Sequence, residues 1–120
     1  MLKPSSTSVR IFWLDSQAVV EKLKTIARQM KAQYPEIEQV LLFGSLARGE
    51  AVPGSDADLL LILSSSTKAS FSERIAYYLP TGLPMDVEVF PYTQAEITQM
   101  RAEGNLFIQQ ALTEGMPLIL

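Results

Sequence analysis

Residues 42–49 read Leu-Phe-Gly-Ser-Leu-Ala-Arg-Gly, and residues 55–63 read Ser-Asp-Ala-Asp-Leu-Leu-Leu-Ile-Leu. Together they combine a glycine-serine turn at the end of an apolar strand with two aspartates that open the next strand. The backbone N–H groups and the hydroxyl of such a turn can approach a phosphate closely. The two carboxylates are hard oxygen ligands of the kind that Mg²⁺ takes while it leaves room for substrate phosphates. The two stretches therefore predict phosphate chemistry with a divalent metal.

The spacing of Asp56 and Asp58 places both carboxylates on one face of the predicted strand. Side chains alternate between the two faces of a strand, so residues two apart lie about 6.5–7 Å from each other on the same side. Their side chains can therefore converge on one metal ion, or on two ions about 3.5–4 Å apart as in two-metal phosphoryl-transfer sites. The apolar run Leu59–Leu63 anchors the strand in the core and holds the acidic pair at its start.

A second acidic strand offers a third carboxylate. The segment Pro84–Phe90 contains Asp86 and Glu88, which are again two residues apart and therefore share one face. The chain has four aspartates; Asp15 has an explanation as a helix cap, and the exposed helices use glutamate instead. The distribution of aspartates therefore favours Asp86 as the third acid, and Glu88 stays open beside it.

Composition narrows the chemistry further. The 120 residues contain no cysteine and no histidine, which excludes disulfides, thiolate catalysis, zinc–cysteine sites and imidazole bases. A net charge of −3 and an isoelectric point near 4.9 argue against a general nucleic-acid binder, which would show a basic face. The longest apolar runs have only the length of strands, so we expect no signal peptide, no membrane span and a cytoplasmic protein.

The order of the predicted elements indicates an α+β fold with a single mixed central sheet flanked by helices. Apolar runs and strand-forming residues predict strands at residues 9–13, 40–43, 59–63 and 85–90. Because the segment 59–63 is apolar on both faces, it is expected in the middle of the sheet. The length indicates one domain over residues 1–120, with residues 1–8 as a flexible tail.

Periodicity and capping signals predict four helices. They are expected at about residues 16–33, 70–79, 93–103 and 105–114. Capping-box patterns begin at Ser70 and at Thr93, where a hydroxyl residue is followed three positions later by glutamate. Asn105 is a further capping residue, and Gly115 is expected to stop the last helix.

In the glycine-serine turn and the acidic pair, the chain resembles a known family. Gly44-Ser45, ten residues, and then Asp56-x-Asp58 before an apolar strand resemble the nucleotidyltransferase signature of the DNA polymerase β superfamily. The fuller string from residue 43 to residue 60 resembles the minimal nucleotidyltransferases, small proteins that are often encoded beside a HEPN-domain partner as toxin–antitoxin pairs. The likeness extends over most of the chain and is strongest at this motif.

The resemblance implies a role for each carboxylate of the motif. Asp56 and Asp58 would be ligands of two Mg²⁺ ions. Asp86 would be the third carboxylate, either as a metal ligand or as a general base. Glu88 would take that place if the register of its strand is shifted.

The resemblance also implies the nucleotide and the reaction. Gly44 and Ser45 would hold the triphosphate of ATP, and Arg48 either binds phosphate as well or is a solvated loop cation. The reaction of the family transfers a nucleoside monophosphate from an NTP to a hydroxyl group, with pyrophosphate as the leaving group. In the antitoxin members, the implied transfer is of AMP to a tyrosine of the HEPN-type toxin.

The acceptor is expected to be held by another molecule. Larger members of the family carry a helical domain for it, whereas here a partner chain or self-association is expected to supply that surface. Two alternatives to an AMP-transferring antitoxin stay open. In the first, the chain is a binding module that neutralises its partner by contact alone. In the second, it is an enzyme that transfers a nucleotide to a small-molecule hydroxyl. No motif indicates which base is preferred.

Overall fold

The computed structural model describes residues 16–50, 55–68, 70–81, 83 and 85–119. Within these ranges, helices lie at Ser16–Gln33 (α1), Ser45–Arg48 (α2), Phe71–Tyr78 (α3), Gln94–Ala102 (α4) and Leu106–Glu114 (α5). Strands lie at Ile37–Phe43 (β1), Ala57–Leu63 (β2), Val87–Thr93 (β3) and Met116–Pro117 (β4). The predicted tail at residues 1–8, the predicted strand at 9–13 and the capping residue Asp15 fall outside the described residues.

The strands form one mixed sheet in the order β3-β2-β1-β4. Strands β1 and β2 are antiparallel, β2 and β3 are parallel, and the short β4 pairs antiparallel with β1. The prediction of an α+β fold with a mixed central sheet is therefore confirmed, and β2 is an interior strand as its apolar sequence indicated. The leucines of β2 are almost fully buried, since helices cover both of its faces.

Two apolar layers hold the helices on the sheet. On one face, α1 and α3 pack against alternate residues of the strands, and α1 contributes the helically spaced Val19, Leu23, Ala27 and Met30. On the other face, α4 and α5 contribute Ile97, Ile108 and Ala111. None of the described helices has both the length and the apolar character that crossing a membrane requires.

The strands extend beyond the apolar runs that predicted them, because pairing between neighbouring strands continues past those runs. β1 begins at Ile37 and β2 at Ala57, before the predicted starts at residues 40 and 59. β3 is displaced toward the C-terminus and continues through Pro91, which lies beside Leu61 of β2. Proline lacks a backbone N–H, but among the described strands β3 lies at the edge of the sheet and pairs on one side only. The predicted glycine-serine turn continues into the short helix α2.

The capping residues act as the sequence indicates. The Thr93 hydroxyl accepts a hydrogen bond from the Glu96 N–H at 3.1 Å, and the Glu96 carboxylate accepts one from the Thr93 N–H at 2.9 Å. Ser70 accepts a hydrogen bond from the Glu73 N–H at 3.1 Å, and Asn105 caps α5 in the same way. These bonds satisfy N–H groups that the first turn of a helix leaves without partners.

The last helix ends at Gly115, as predicted, but for a different physical reason. Its backbone φ is −60°, so it does not have the left-handed conformation of a glycine stop signal. A Cβ atom at this position would lie 2.6 Å from the Ala111 carbonyl oxygen and 3.0 Å from a methyl group of Leu41. Glycine therefore permits the end of α5 to lie directly against β1, and the chain then continues into β4.

Candidate functional site

The predicted site residues lie where β1 ends and β2 begins. Strand pairing places Phe43, the last residue of β1, opposite Asp58 of β2. The parallel pairing of β2 with β3 places Glu88 on the other side of Asp58. Residues opposite each other in a sheet point to the same face, so one face carries the carboxylates of β2 and β3 next to the glycine-serine turn.

The turn touches the carboxylate of Asp58. Gly44 has a positive φ of 81° with ψ at −160°, a conformation that side chains rarely tolerate. A Cβ atom built on Gly44 would overlap Asp58 Oδ2 and lie 3.3 Å from Asp58 Cγ. Glycine is thus required both by the backbone conformation and by the close approach of the carboxylate.

The residues after Gly44 form a compact helical turn. Arg48 N–H donates to the Gly44 carbonyl oxygen at 3.1 Å, and Glu50 N–H donates to that of Ser45 at 2.9 Å. Gly49 ends the turn with a left-handed φ of 73°. Among the described residues, the Ser45 hydroxyl has no hydrogen-bond partner, so it can bind a ligand.

The pKa values of two carboxylates of the site, Asp58 and Glu88, are raised. Burial and the negative charge of Asp56 raise the pKa of Asp58, and the nearby Arg48 only partly offsets this. Burial, a hydrogen bond with Asp56 and the charges of Asp58 and Asp56 raise the pKa of Glu88. The fold therefore holds three carboxylates close enough to repel one another, and a bound cation would relieve that repulsion.

The two acids of β3 differ in what they contact. Asp86, which the distribution of aspartates favoured, lies one residue before β3, and its carbonyl oxygen accepts a hydrogen bond from the Ala57 N–H at 2.9 Å. Glu88, which was left open, lies opposite Asp58, and Asp56 and Asp58 both raise its pKa. Both side chains are exposed, and Glu88 is the one that the acidic pair influences.

The carboxylates of the site fit a magnesium ion whose coordination is completed by a nucleotide. Within the described part of the chain, no three acidic side chains are gathered closely enough to form a ready-made metal site. Mg²⁺ usually binds through one or two carboxylates and completes its octahedral coordination with waters and substrate phosphates. Asp56 and Asp58 would supply those one or two carboxylates, and a nucleotide would supply phosphate oxygens.

Arg48 is held by two glutamates, neither of which the sequence singled out. Its Nε donates to Glu50 Oε1 at 2.8 Å, and its Nη1 lies 3.1 Å from Glu114 Oε1 at the end of α5. Hydrogen bonds from Gln110 and Arg48 and from the Gly44 N–H lower the pKa of Glu114. A glutamate in the last turn of a helix opposes the helix dipole, and this signal in the sequence could have indicated that Glu114 has a cationic partner.

Comparisons with known proteins agree with this geometry. A family model described as "Nucleotidyltransferase domain" matches residues 23–114. A crystal structure of a protein from Sulfolobus solfataricus, provisionally described as a nucleotidyltransferase, is similar with a TM-score of 0.58 and 26% identity over 72% of this chain and 78% of that one. A crystal structure of a toxin–antitoxin with AMP-PNP has the same fold, with a TM-score of 0.56 and 21% identity over 79% of this chain and 71% of that one. No curated protein matches the chain.

Proposed function

Because this chain belongs to the nucleotidyltransferase domain family, we propose that it transfers AMP from ATP to a hydroxyl group in a Mg²⁺-dependent reaction. The acceptor in this proposal is a tyrosine of a HEPN-type toxin, and the chain acts as its antitoxin. The observation that carries the proposal is the contact between Gly44 of the turn and Asp58 of the acidic pair. It joins a phosphate-binding element to a metal-binding element in one site.

Each residue of the site has a part in this reaction. Ser45 and the backbone beside Gly44 hold the triphosphate, and Asp56 and Asp58 hold Mg²⁺. When bound, the metal neutralises the phosphate charge and lowers the pKa of the attacking hydroxyl. The acceptor oxygen forms a bond to the α-phosphorus, the bond between the α- and β-phosphates breaks, and pyrophosphate leaves. Glu88, whose pKa is raised, accepts the proton of the hydroxyl.

An exposed apolar surface beside the carboxylates supports a protein acceptor. Leu106 and Phe107 begin α5 with exposed fractions of 78% and 36%. The Phe107 ring packs against Phe43 and Phe90, with centroids 5.6 and 5.1 Å apart. Phe90 follows Glu88 by two residues and shares its face of the sheet. A protein that covers this surface would therefore lie next to the acids.

The toxin partner is supported by the fold and by the motif. A toxin–antitoxin structure with AMP-PNP has the same fold as this chain, which is consistent with an adenine nucleotide and a toxin partner. The HEPN class of the partner and the tyrosine acceptor rest on the likeness of residues 43–60 to the minimal nucleotidyltransferases.

The proposal is tested by incubating the purified chain with Mg²⁺, ATP labelled at the α-phosphate and the HEPN-type protein encoded by the adjacent reading frame. The proposal expects the adjacent reading frame to encode such a protein, and it expects label on that protein and, by mass spectrometry, AMP on a tyrosine. The double variant Asp56→Asn with Asp58→Asn is expected to transfer no label, whereas Glu103→Gln, an exposed change on another helix, transfers normally. A folded chain that labels nothing contradicts the proposal.

Two other outcomes would identify the alternatives. If the double aspartate variant still neutralises the toxin in a growth assay, the chain acts by contact alone. If label appears only on a small molecule in the absence of the partner, the acceptor is that small molecule.

A further inference from the structure

The carboxylate of Glu114 joins the last helix to the phosphate-binding turn. It accepts hydrogen bonds from Arg48 Nη1 at 3.1 and 3.3 Å and from Gln110 Nε2 at 2.9 Å. Gly44, Arg48 and Glu114 line one cavity of about 130 Å³ between the turn and α5. A single side chain from residue 114 therefore bonds to Arg48 and shares a cavity with Gly44, the two residues that lie on either side of Ser45 in the turn.

The guanidinium of Arg48 is fixed on two of its three nitrogens. Nε is bound to Glu50 and Nη1 to Glu114, while Nη2 has no hydrogen-bond partner among the described residues. A guanidinium is planar, so two fixed nitrogens determine where the third points. The bonds on Nε and Nη1 therefore orient Nη2 as a donor that remains free for an anion.

The turn is tied to Arg48 by a backbone hydrogen bond, because the Arg48 N–H donates to the Gly44 carbonyl oxygen at 3.1 Å. Holding Arg48 in place therefore also restrains the turn. Among the described residues, the Ser45 hydroxyl has no hydrogen-bond partner and stays available to a ligand. Glu114 thus restrains the turn on one side of the serine and the arginine on the other.

We propose that Glu114 is a positioning residue for the nucleotide, which holds the Gly44 turn and the Arg48 guanidinium in the orientation that meets the triphosphate. This inference rests on the proposed function of the same site. Glu114 does not itself touch the nucleotide. It orders two phosphate-binding groups in advance, so that less conformational freedom is lost when the nucleotide binds.

The test compares Glu114→Gln with a matched control, Glu103→Gln. Both glutamates lie at the end of a helix and accept a hydrogen bond from a glutamine four residues earlier, at 2.9 and 2.8 Å, but Glu103 has no contact with Arg48. Dissociation constants are measured by calorimetry for the Mg²⁺ complexes of α,β-methylene-ATP and of inorganic tripolyphosphate. Glu114→Gln is expected to raise both dissociation constants about fivefold, as for the loss of a partly exposed ion pair. Glu103→Gln is expected to change neither.

Two further variants separate positioning from a general structural effect. In the Arg48→Ala background, adding Glu114→Gln is expected to raise the dissociation constants much less than Glu114→Gln does alone, because the two residues act together. Glu114→Asp keeps the charge but withdraws it by one methylene group, so its affinity should fall between the wild type and Glu114→Gln. Thermal unfolding of each variant confirms that the chain is folded.

Three results would overturn the inference while leaving the proposed function intact. Glu114→Gln could bind both ligands like the wild type, it could bind them more tightly because the glutamate competes with phosphate, or its effect could be additive with Arg48→Ala. If the wild type itself binds neither ligand, the proposed function fails and the inference fails with it.

Discussion

Asp58 Oδ2 occupies the space that a side chain at position 44 would fill. The glycine of the turn and the second aspartate of the pair are thereby brought into contact across the β1–β2 pairing, although fourteen positions separate them in the sequence. The close approach brings the backbone of the turn to the carboxylates. A phosphate held at the turn would therefore lie beside a metal held by the aspartates.

Gly44→Ala is expected to destabilise the chain and to abolish nucleotide binding. The new methyl group overlaps Asp58 and the backbone keeps a positive φ, so the cost is expected to be about 2–3 kcal/mol. Gly49→Ala is the control: its φ is also positive, but no described atom lies within 4 Å of the added carbon. Backbone strain alone should lower the free energy of unfolding of Gly49→Ala by about 1 kcal/mol and leave nucleotide binding intact. Urea unfolding and calorimetry measure both effects, and equal losses for the two variants would contradict the role of the contact.

Asp58→Asn is expected to stabilise the metal-free chain at neutral pH while removing its response to the ligand. Burial and Asp56 disfavour the ionised form of Asp58, so a neutral amide of the same shape removes repulsion. In the wild type, Mg²⁺-ATP at a hundredfold excess over its dissociation constant should add about 2.7 kcal/mol of stability. The variant should gain none. A thermal shift with and without Mg²⁺-ATP measures this, and an equal shift in the variant would exclude Asp58 as a ligand.

The pH dependence of stability should differ between the wild type and Asp58→Asn. The pKa of Asp58 is raised in the folded chain above its ordinary value of 3.8. Its protonated form therefore favours folding at low pH, and that contribution is lost as the pH rises through the folded-state pKa. The advantage of the variant should thus be absent near pH 3 and grow to a plateau by about pH 7. Urea midpoints at several pH values test this; a constant difference would mean that the pKa is not raised.

Glu88→Gln is expected to reduce AMP transfer far more than Asp86→Asn. Glu88 contacts Asp56, whereas Asp86 contributes a backbone carbonyl to the pairing with β2. Loss of a general base typically lowers the rate by about 10²–10⁴-fold, so we expect a loss in that range for Glu88→Gln and less than about tenfold for Asp86→Asn. Single-turnover transfer with labelled ATP measures both rates. The reverse order would identify Asp86 as the third carboxylate.

Leu106→Asp is expected to weaken binding of the toxin partner without changing the affinity for Mg²⁺-ATP. A leucine that becomes buried at an interface is worth about 1.5–3 kcal/mol, so the dissociation constant for the partner should rise more than tenfold. Leu79→Asp is the matched control, since Leu79 is also exposed but follows α3, on the other side of the sheet. Calorimetry with the partner distinguishes the two, and equal effects would contradict an interface at α5.

Local signals in the sequence predicted most of the secondary structure and the shared face of the acidic pair. The capping residues Ser70, Thr93 and Asn105 each begin the predicted helix, because a cap depends on residues within one turn. The strand period alone places Asp56 and Asp58 on one face of β2. The continuous apolar run from Leu59 to Leu63 also identified β2 as an interior strand, because such a run is apolar on both faces. These features depend on neighbours in the sequence and are therefore encoded there.

What the sequence could not decide depends on contacts between distant segments. The position of Glu88 opposite Asp58 follows from the register of β3 on β2, which pairing along both strands sets and which no local pattern reveals. β4 exists because Met116 pairs with Leu42, and Arg48 meets Glu114 across 66 positions. The sequence by itself thus determined the fold class and the spacing of the acidic pair. Only the tertiary structure decided which residues of β3 and α5 lie beside the pair and the turn, because those contacts form between distant segments when the sheet and α5 come together.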